Sequence, residues 1–264
     1  MCCKPAQTNI QLYNQLLLQG YNKNDLSSVR SAYELSVKIF TGFYRGNGKP
    51  FICHFVGTAS VIATTGGGLN EIIAGLLHSA YSLGEFGDGS RGANPKKRRM
   101  VREVVGEEIE QVIYNFPSLD WNNDDTIERL AHTPASELSD REQLLIWMRL
   151  AHEVEEQSDR AFIYSEKVSL KRLAFRLELA IRIAENLGLD ELGRELDSLL
   201  KDIKSTDLPQ AFDSLEQGGI IFIPPATHQE KFLLTAKRAG RSIRRRVRRQ
   251  LNRIRLTLQA PTSP

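Results

Sequence analysis

Three histidines stand where this sequence could do chemistry: His54 in "GKPFICH", His78 in "NEIIAGLLHSAYSLG" and His152 in "MRLAHEVEE". Each lies in an apolar stretch with helical spacing. A lone histidine on such a helix is usually packed and satisfied, but three on similar faces can share a divalent ion. Three neutral imidazoles leave an open position for water, as three-ligand zinc sites do. With no aspartate among them, they favour Zn²⁺ over the harder, oxygen-preferring Mn²⁺. Around His78, the residues Leu69, Ile72, Ile73, Leu76, Leu77 and Ala80 form an apolar stripe. Ala74 and Gly75 are small and sit one turn back, so a space is expected beside the imidazole.

The elements that must position these residues are helices. Leu12, Leu16 and Leu17 indicate a first helix ending near Gly20. Val29, Ala32, Tyr33, Val37 and Phe40 indicate a second, with Asn24 or Asp25 as its N-cap. "RGNGKP" breaks it, and a helix over Phe51 to Ala63 carries His54. The helix carrying His78 runs on to Gly84. "GEFGDGSRGANPKKRR" reads as a mobile surface loop and "VREVVGEEIEQVIYNF" as one helix. "NNDD" reads as a turn. Ser139, with Glu142 three residues on, forms a capping box for the helix carrying His152. Two more helices follow, Phe162 to Asn186 and Leu189 to Ile203. "GGIIFIPP" is the one extended run. The expected fold is all-α.

Composition agrees with a globular chain: 264 residues, 41% hydrophobic and 25% charged. Cys2, Cys3 and Cys53 have no paired spacing, which points to a reducing compartment rather than a disulfide scaffold. No secretory signal is expected, and no apolar run approaches a membrane span of about 20 residues.

In this order, the motifs resemble the RelA/SpoT-type alarmone hydrolases of the HD superfamily. "AYELSVKIFTGFYRGNGKPFICHF" is similar to that family's opening motif, "IIAGLLHSAYSLG" to its AALLHDVVEDT and "LIWMRLAHEVEE" to its LVKLADRLHNLR. "VGEEIEQVIYNFPSLDW" and "ELAIRIAENLGLDELGRELDSLL" continue the match, which covers roughly residues 28–203. The resemblance implies an HD-domain helical bundle, placed over 1–205; the residues beyond it read as a linker over 206–230 with a short extended segment and a basic amphipathic helix and tail over 231–264.

The resemblance also implies roles. The family's metal-binding histidines fall on His54 and His78, and its two ligand aspartates on Ser79 and His152. Its catalytic Glu-Asp pair falls on Ser82 and Leu83, its base-holding arginine on Arg45 and its nucleotide-binding asparagine on Glu156. Phe40 and Phe55 stand where it has a histidine and a proline. Ligand-binding positions are therefore Arg45, Ser79, Ser82 and Glu156, with a nucleotide or other small ligand as partner. Hydrolysis needs a carboxylate to move protons, and Glu85 and Asp88 in the glycine-rich loop are the candidates for a replacement. Two readings stand: a regulatory pseudoenzyme that holds a metal (Zn²⁺ or Mn²⁺) or a small ligand, and an active metal-dependent phosphohydrolase with another substrate.

The tail differs from the body. Lys237 to Arg255 carries ten basic residues and no acid; subtracting those ten from the net charge of +3 leaves −7 for the rest. Ile243, Val247, Leu251, Ile254 and Leu258 fall on one helical stripe among the arginines. That pattern suits an anionic membrane surface, met through 237–258 at the inner face of a cytoplasmic location. Docking on a partner or on the acidic body ranks second. Nucleic acid ranks last, because no aromatic residue follows Phe232. Each arginine at an anionic bilayer contributes up to roughly 1 kcal/mol. Vesicle co-sedimentation should therefore show binding that weakens with salt and disappears on truncation before Lys237. Val247→Asp should reduce it more than any single arginine-to-glutamine change; equal sedimentation of full-length and truncated protein would rule the membrane out.

Overall fold

The structure is a computed structural model that describes residues 4–160, 170–205 and 221–223. The chain divides into two compact units, Met1–Ile221 and Phe222–Pro264. The expected basic helix lies outside the described residues, and all the described helices belong to the first unit.

That unit is an all-α bundle. The helices are α1 (Asn9–Leu18), α2 (Lys23–Phe40), α3 (Phe51–Thr64), α4 (Leu69–Leu77), α5 (Ala80–Leu83), α6 (Pro95–Val105), α7 (Glu107–Asn115), α8 (Asp124–Ala131), α9 (Asp140–Ser158), α10 (Leu170–Asn186) and α11 (Asp190–Ser205). Two-residue strands at Phe43–Tyr44 and Ile221–Phe222, with an isolated antiparallel bridge between Tyr44 and Pro50, are the β structure among the described residues. No helix among them is long and apolar enough to cross a membrane.

Helix α3 is the centre. Eleven of its fourteen residues are buried, which leaves it no solvent face. Helices α1, α2, α4 and α9 pack around it, while α10 and α11 form a hairpin against α8 and α9. The α3–α4 crossing is close because Gly75 has no side chain: a Cβ there would lie 2.8 Å from Ile62 Cδ1 and 3.3 Å from Ala59 Cα. The room expected beside His78 is thus taken by α3.

Local signals explain the element boundaries, and several differ from the sequence reading. Asn22, not Asn24 or Asp25, caps α2, with Asp25 completing the capping box. Ser139 and Glu142 form the expected box at α9. The glycine-rich loop ends earlier than its composition suggests: Asn94 accepts from Lys97 N, and Pro95 opens α6. Gly106, at φ 84°, splits the expected "VREVVGEEIEQVIYNF" helix into α6 and α7. "NNDD" is not just a turn, since Asn123 caps α8.

The α6–α7 corner is held by Glu110, whose side chain is fully buried. It accepts from Arg98 Nε (2.7 Å) and Nη2 (2.8 Å), Arg102 Nε (2.9 Å) and Tyr81 Oη (2.7 Å). Tyr81 brings α5, and with it the chain just after His78, against α7. Burial pushes the Glu110 carboxyl up, but bonds from Arg98, Tyr81 and Arg102 outweigh it and hold the group at about 2. The pairing therefore stabilises the fold fully above the ordinary carboxylate range near 4.5 and is lost as pH falls toward 2. Glu110→Ala, which leaves two guanidinium groups without their buried partner, should cost about 3 kcal/mol or more in urea unfolding. It should also flatten the acid limb of the stability curve; an unchanged limb would show that the corner is held by packing instead.

Candidate metal centre

His54 sits on α3, His78 at the C-cap of α4 and His152 on α9. Their rings converge despite separations of 24 and 74 residues in the chain. Ring centroids lie 5.2 Å (His54–His78), 4.7 Å (His54–His152) and 5.1 Å (His78–His152) apart, at interplanar angles of 82°, 90° and 89°. One nitrogen from each lies within 4.8 Å of the others, so the group could hold a metal ion. Zinc–nitrogen bonds of about 2.0–2.1 Å, extended by roughly 1.2 Å to each ring centre along tetrahedral directions, would space the centroids roughly 5.2 Å apart.

The Nδ1 nitrogens of His54 and His78 have hydrogen-bond partners. His78 Nδ1–H donates to the Gly75 carbonyl at 2.8 Å, where α4 ends and that carbonyl is free of the helix ladder. His78 Nε2 therefore carries a lone pair; it is buried and has no hydrogen-bond partner. His54 Nδ1 bonds Oε2 of Glu155, whose Oε1 is paired with Lys49 Nζ. His152 Nδ1 is also without a hydrogen-bond partner and lies 3.6 Å from Glu156 Oε2. Burial, first of all, lowers the pKa of all three histidines well below the ordinary 6.5. The charges of Arg45 and Lys49 add to this at His54. The three are neutral at physiological pH, which is the state a metal needs.

The surroundings are aromatic and dry. Phe55 meets His78 edge-on at 5.2 Å and Phe116 tilts against it at 4.9 Å. Phe40 packs on Phe55 at 4.5 Å and on Phe51 at 5.8 Å. Phe40 and Phe55 thus fill apolar space behind the imidazoles. Arg149 lies 3.7 Å over the Phe116 ring and donates to the Phe116 carbonyl at 2.9 Å, which pins that ring against His78. Burial lowers the Arg149 guanidinium to about 10.

The other expected site residues are distributed unevenly. Arg45 and Glu156 are brought together and form an ion pair. Ser79, half-buried, is the N-cap position of α5, and Ser82 is exposed. Glu85 and Asp88 are both exposed and have local partners instead of the histidines. Glu85 accepts from Gly87 N, and Asp88 accepts from Ser90 N, Ser90 Oγ and Asn94 Nδ2 while facing Lys97 at 3.4 Å. Of the carboxylates near the centre, Glu156 was expected from the sequence, whereas Glu153 and Glu155 were not. Glu155 touches His54, and Glu153 takes Trp121 Nε1 at 3.2 Å. Burial pushes the Glu155 carboxyl up to about 7, against the pull of Lys49. The only sequence signal was a run of glutamates in "HEVEE", which on its own reads as a solvated face.

Comparison with known proteins gives two findings. Residues 41–121 match a family model described as "Domain of unknown function (DUF6817)". That stretch contains His54 and His78 but not His152 or Glu155. Over 188 residues, 68% of this chain, the sequence is 24% identical to a protein of Mycobacterium leprae (strain TN) named "Probable GTP pyrophosphokinase". The chain spans 22% of that relative's length.

Proposed function

We propose that the chain is a metal-binding regulatory domain, a divergent relative of the HD-type alarmone phosphohydrolases that has lost their hydrolytic set. The observation that carries this is His78 Nε2: a buried lone pair, without a donor, facing two further neutral imidazoles. Burying such an acceptor unpaired is costly, and a cation shared by the three rings removes that cost. A divalent ion held there would supply Lewis acidity toward an oxygen ligand.

Loss of hydrolysis is supported by the residues around the centre. Ser79, Ser82 and Leu83 stand where the resembling family has carboxylates. The acids near the centre have side-chain partners already: Glu155 with Lys49 and His54, Glu153 with Trp121 and Gln157, Glu156 with Arg45. A phosphate reaching for Arg45 must displace Glu156. The similarity to the mycobacterial protein supports an alarmone-linked or related nucleotide as the ligand. The basic segment 237–258 is proposed to bring the domain to an anionic membrane surface.

A second reading, an active phosphohydrolase with a different substrate, has one observation in its favour: ligand atoms of His152, Glu153 and Glu156 lie within 4.8 Å of one another. Carboxylates are therefore close to the centre, though not placed by the motif. Titration of the purified protein with Zn²⁺ or Co²⁺ should give one ion per chain, and His78→Ala should abolish it. With Mn²⁺ the protein should leave (p)ppGpp intact. Turnover near the ~10 s⁻¹ common among enzymes would overturn the regulatory reading, and turnover of another phosphate ester only would favour the second. Absence of any metal binding would end both.

A further inference from the structure

The side chain of Glu155 is 0% exposed, and an acid so placed needs a reason. Three independent features of the fold accommodate it. Its Oε2 meets Nδ1 of His54, and its Oε1 meets the ammonium of Lys49, itself only 10% exposed. Gly57, one turn beyond His54 on α3, leaves the space the carboxyl group occupies. A Cβ on Gly57 would fall 2.6 Å from Glu155 Cγ and Oε1 and 2.9 Å from Cδ. Lys49 is presented by a tight turn: Arg45 N donates to the Lys49 carbonyl at 2.9 Å, Gly48 N donates to the Arg45 carbonyl at 2.8 Å, and Gly48 has φ 83°. The same turn sends Arg45 to Glu156, the next residue of α9.

A buried ion pair seldom stabilises a fold more than apolar side chains of the same volume. Glycine, lysine and glutamate at these three positions are thus poorly explained by stability. They are well explained by direction: a carboxylate on Nδ1 fixes a ring's orientation and tautomer and leaves Nε2 as the ligand atom. We propose that Glu155 is the positioning residue of the three-histidine centre, seated by Gly57 and anchored by Lys49. The inference rests on the metal-binding reading above. It adds that metal affinity is set by a second layer of residues and so is tied to the turn Arg45–Pro50.

Co²⁺ binding by the full chain tests it, with affinity taken from competition and the visible absorption spectrum reporting the ligand field. Glu155→Gln keeps the shape but loses the charge, and should weaken binding by 10- to 100-fold, about the cost usual for such partners, with an altered spectrum. Gly57→Ala should do the same by displacing the carboxyl, and the double variant should be no worse than either single one. Lys49→Met should move affinity in the same direction, and Glu155→Asp should recover part of the loss. Wild-type affinity and spectrum in Glu155→Gln would overturn the proposal while leaving the metal reading intact. If the wild-type chain binds no Co²⁺, the metal reading fails, and nitrogen NMR of the metal-free protein still decides the positioning role. His54 should then be the Nδ1–H tautomer in the wild type and lose that preference in Glu155→Leu; an unchanged tautomer would overturn it.

Discussion

Helix α3 has no face in water, and its neighbours are arranged to meet that condition. An apolar helix buried on every side needs a partner at each point of its circumference, and close partners need small residues at the crossings. Gly75 admits Ile62 and Ala59, and Gly57 admits Glu155. His54 is one of the few polar side chains on this helix, so its two ring nitrogens must both be satisfied inside the protein. Glu155 answers one of them. The ring itself packs edge-on against His78 and His152.

Apolar surroundings sharpen every polar choice made near that point. Phe40, Phe51, Phe55 and Phe116 exclude water, which keeps the imidazoles neutral and makes an unpaired nitrogen expensive. Most charges that approach come as ion pairs, Lys49 with Glu155, Arg45 with Glu156 and Arg176 with Asp124, while Arg149 rests on the Phe116 ring and carbonyl. The result is a neutral, oriented nitrogen cluster bordered by ion pairs. Such a cluster could hold a metal ion.

Much of the framework was legible in the sequence, because its signals are local. Apolar spacing marked the helices, and the capping box at Ser139 and Glu142 marked the start of α9. The signal for α6 was also present in Asn94–Pro95 but was masked by the surrounding glycines and charges. What was not legible depends on contacts far apart in sequence. Glu155 lies 101 residues from His54, and nothing in "HEVEE" tells a buried glutamate from a solvated one. The end of α4 at His78 is similar: it turns on a ring nitrogen meeting the Gly75 carbonyl, which apolar periodicity does not encode. Glu85 and Asp88 were attractive for their chemistry alone, yet their loop binds them to its own backbone and side chains.

His152, Glu153, Glu155 and Glu156 all belong to one stretch of α9, and each meets a different part of the protein: the histidine cluster, Trp121, His54 with Lys49, and Arg45. Their directions are fixed by the phase of a single helix. One residue inserted in α9 ahead of His152 would advance that phase by about 100° and turn all four side chains away together, whereas the segment between α8 and α9 could absorb the same insertion as slack. The centre is thus tolerant of length changes between helices and intolerant of them within α9, so that its history of insertions and deletions should be written in the connections alone.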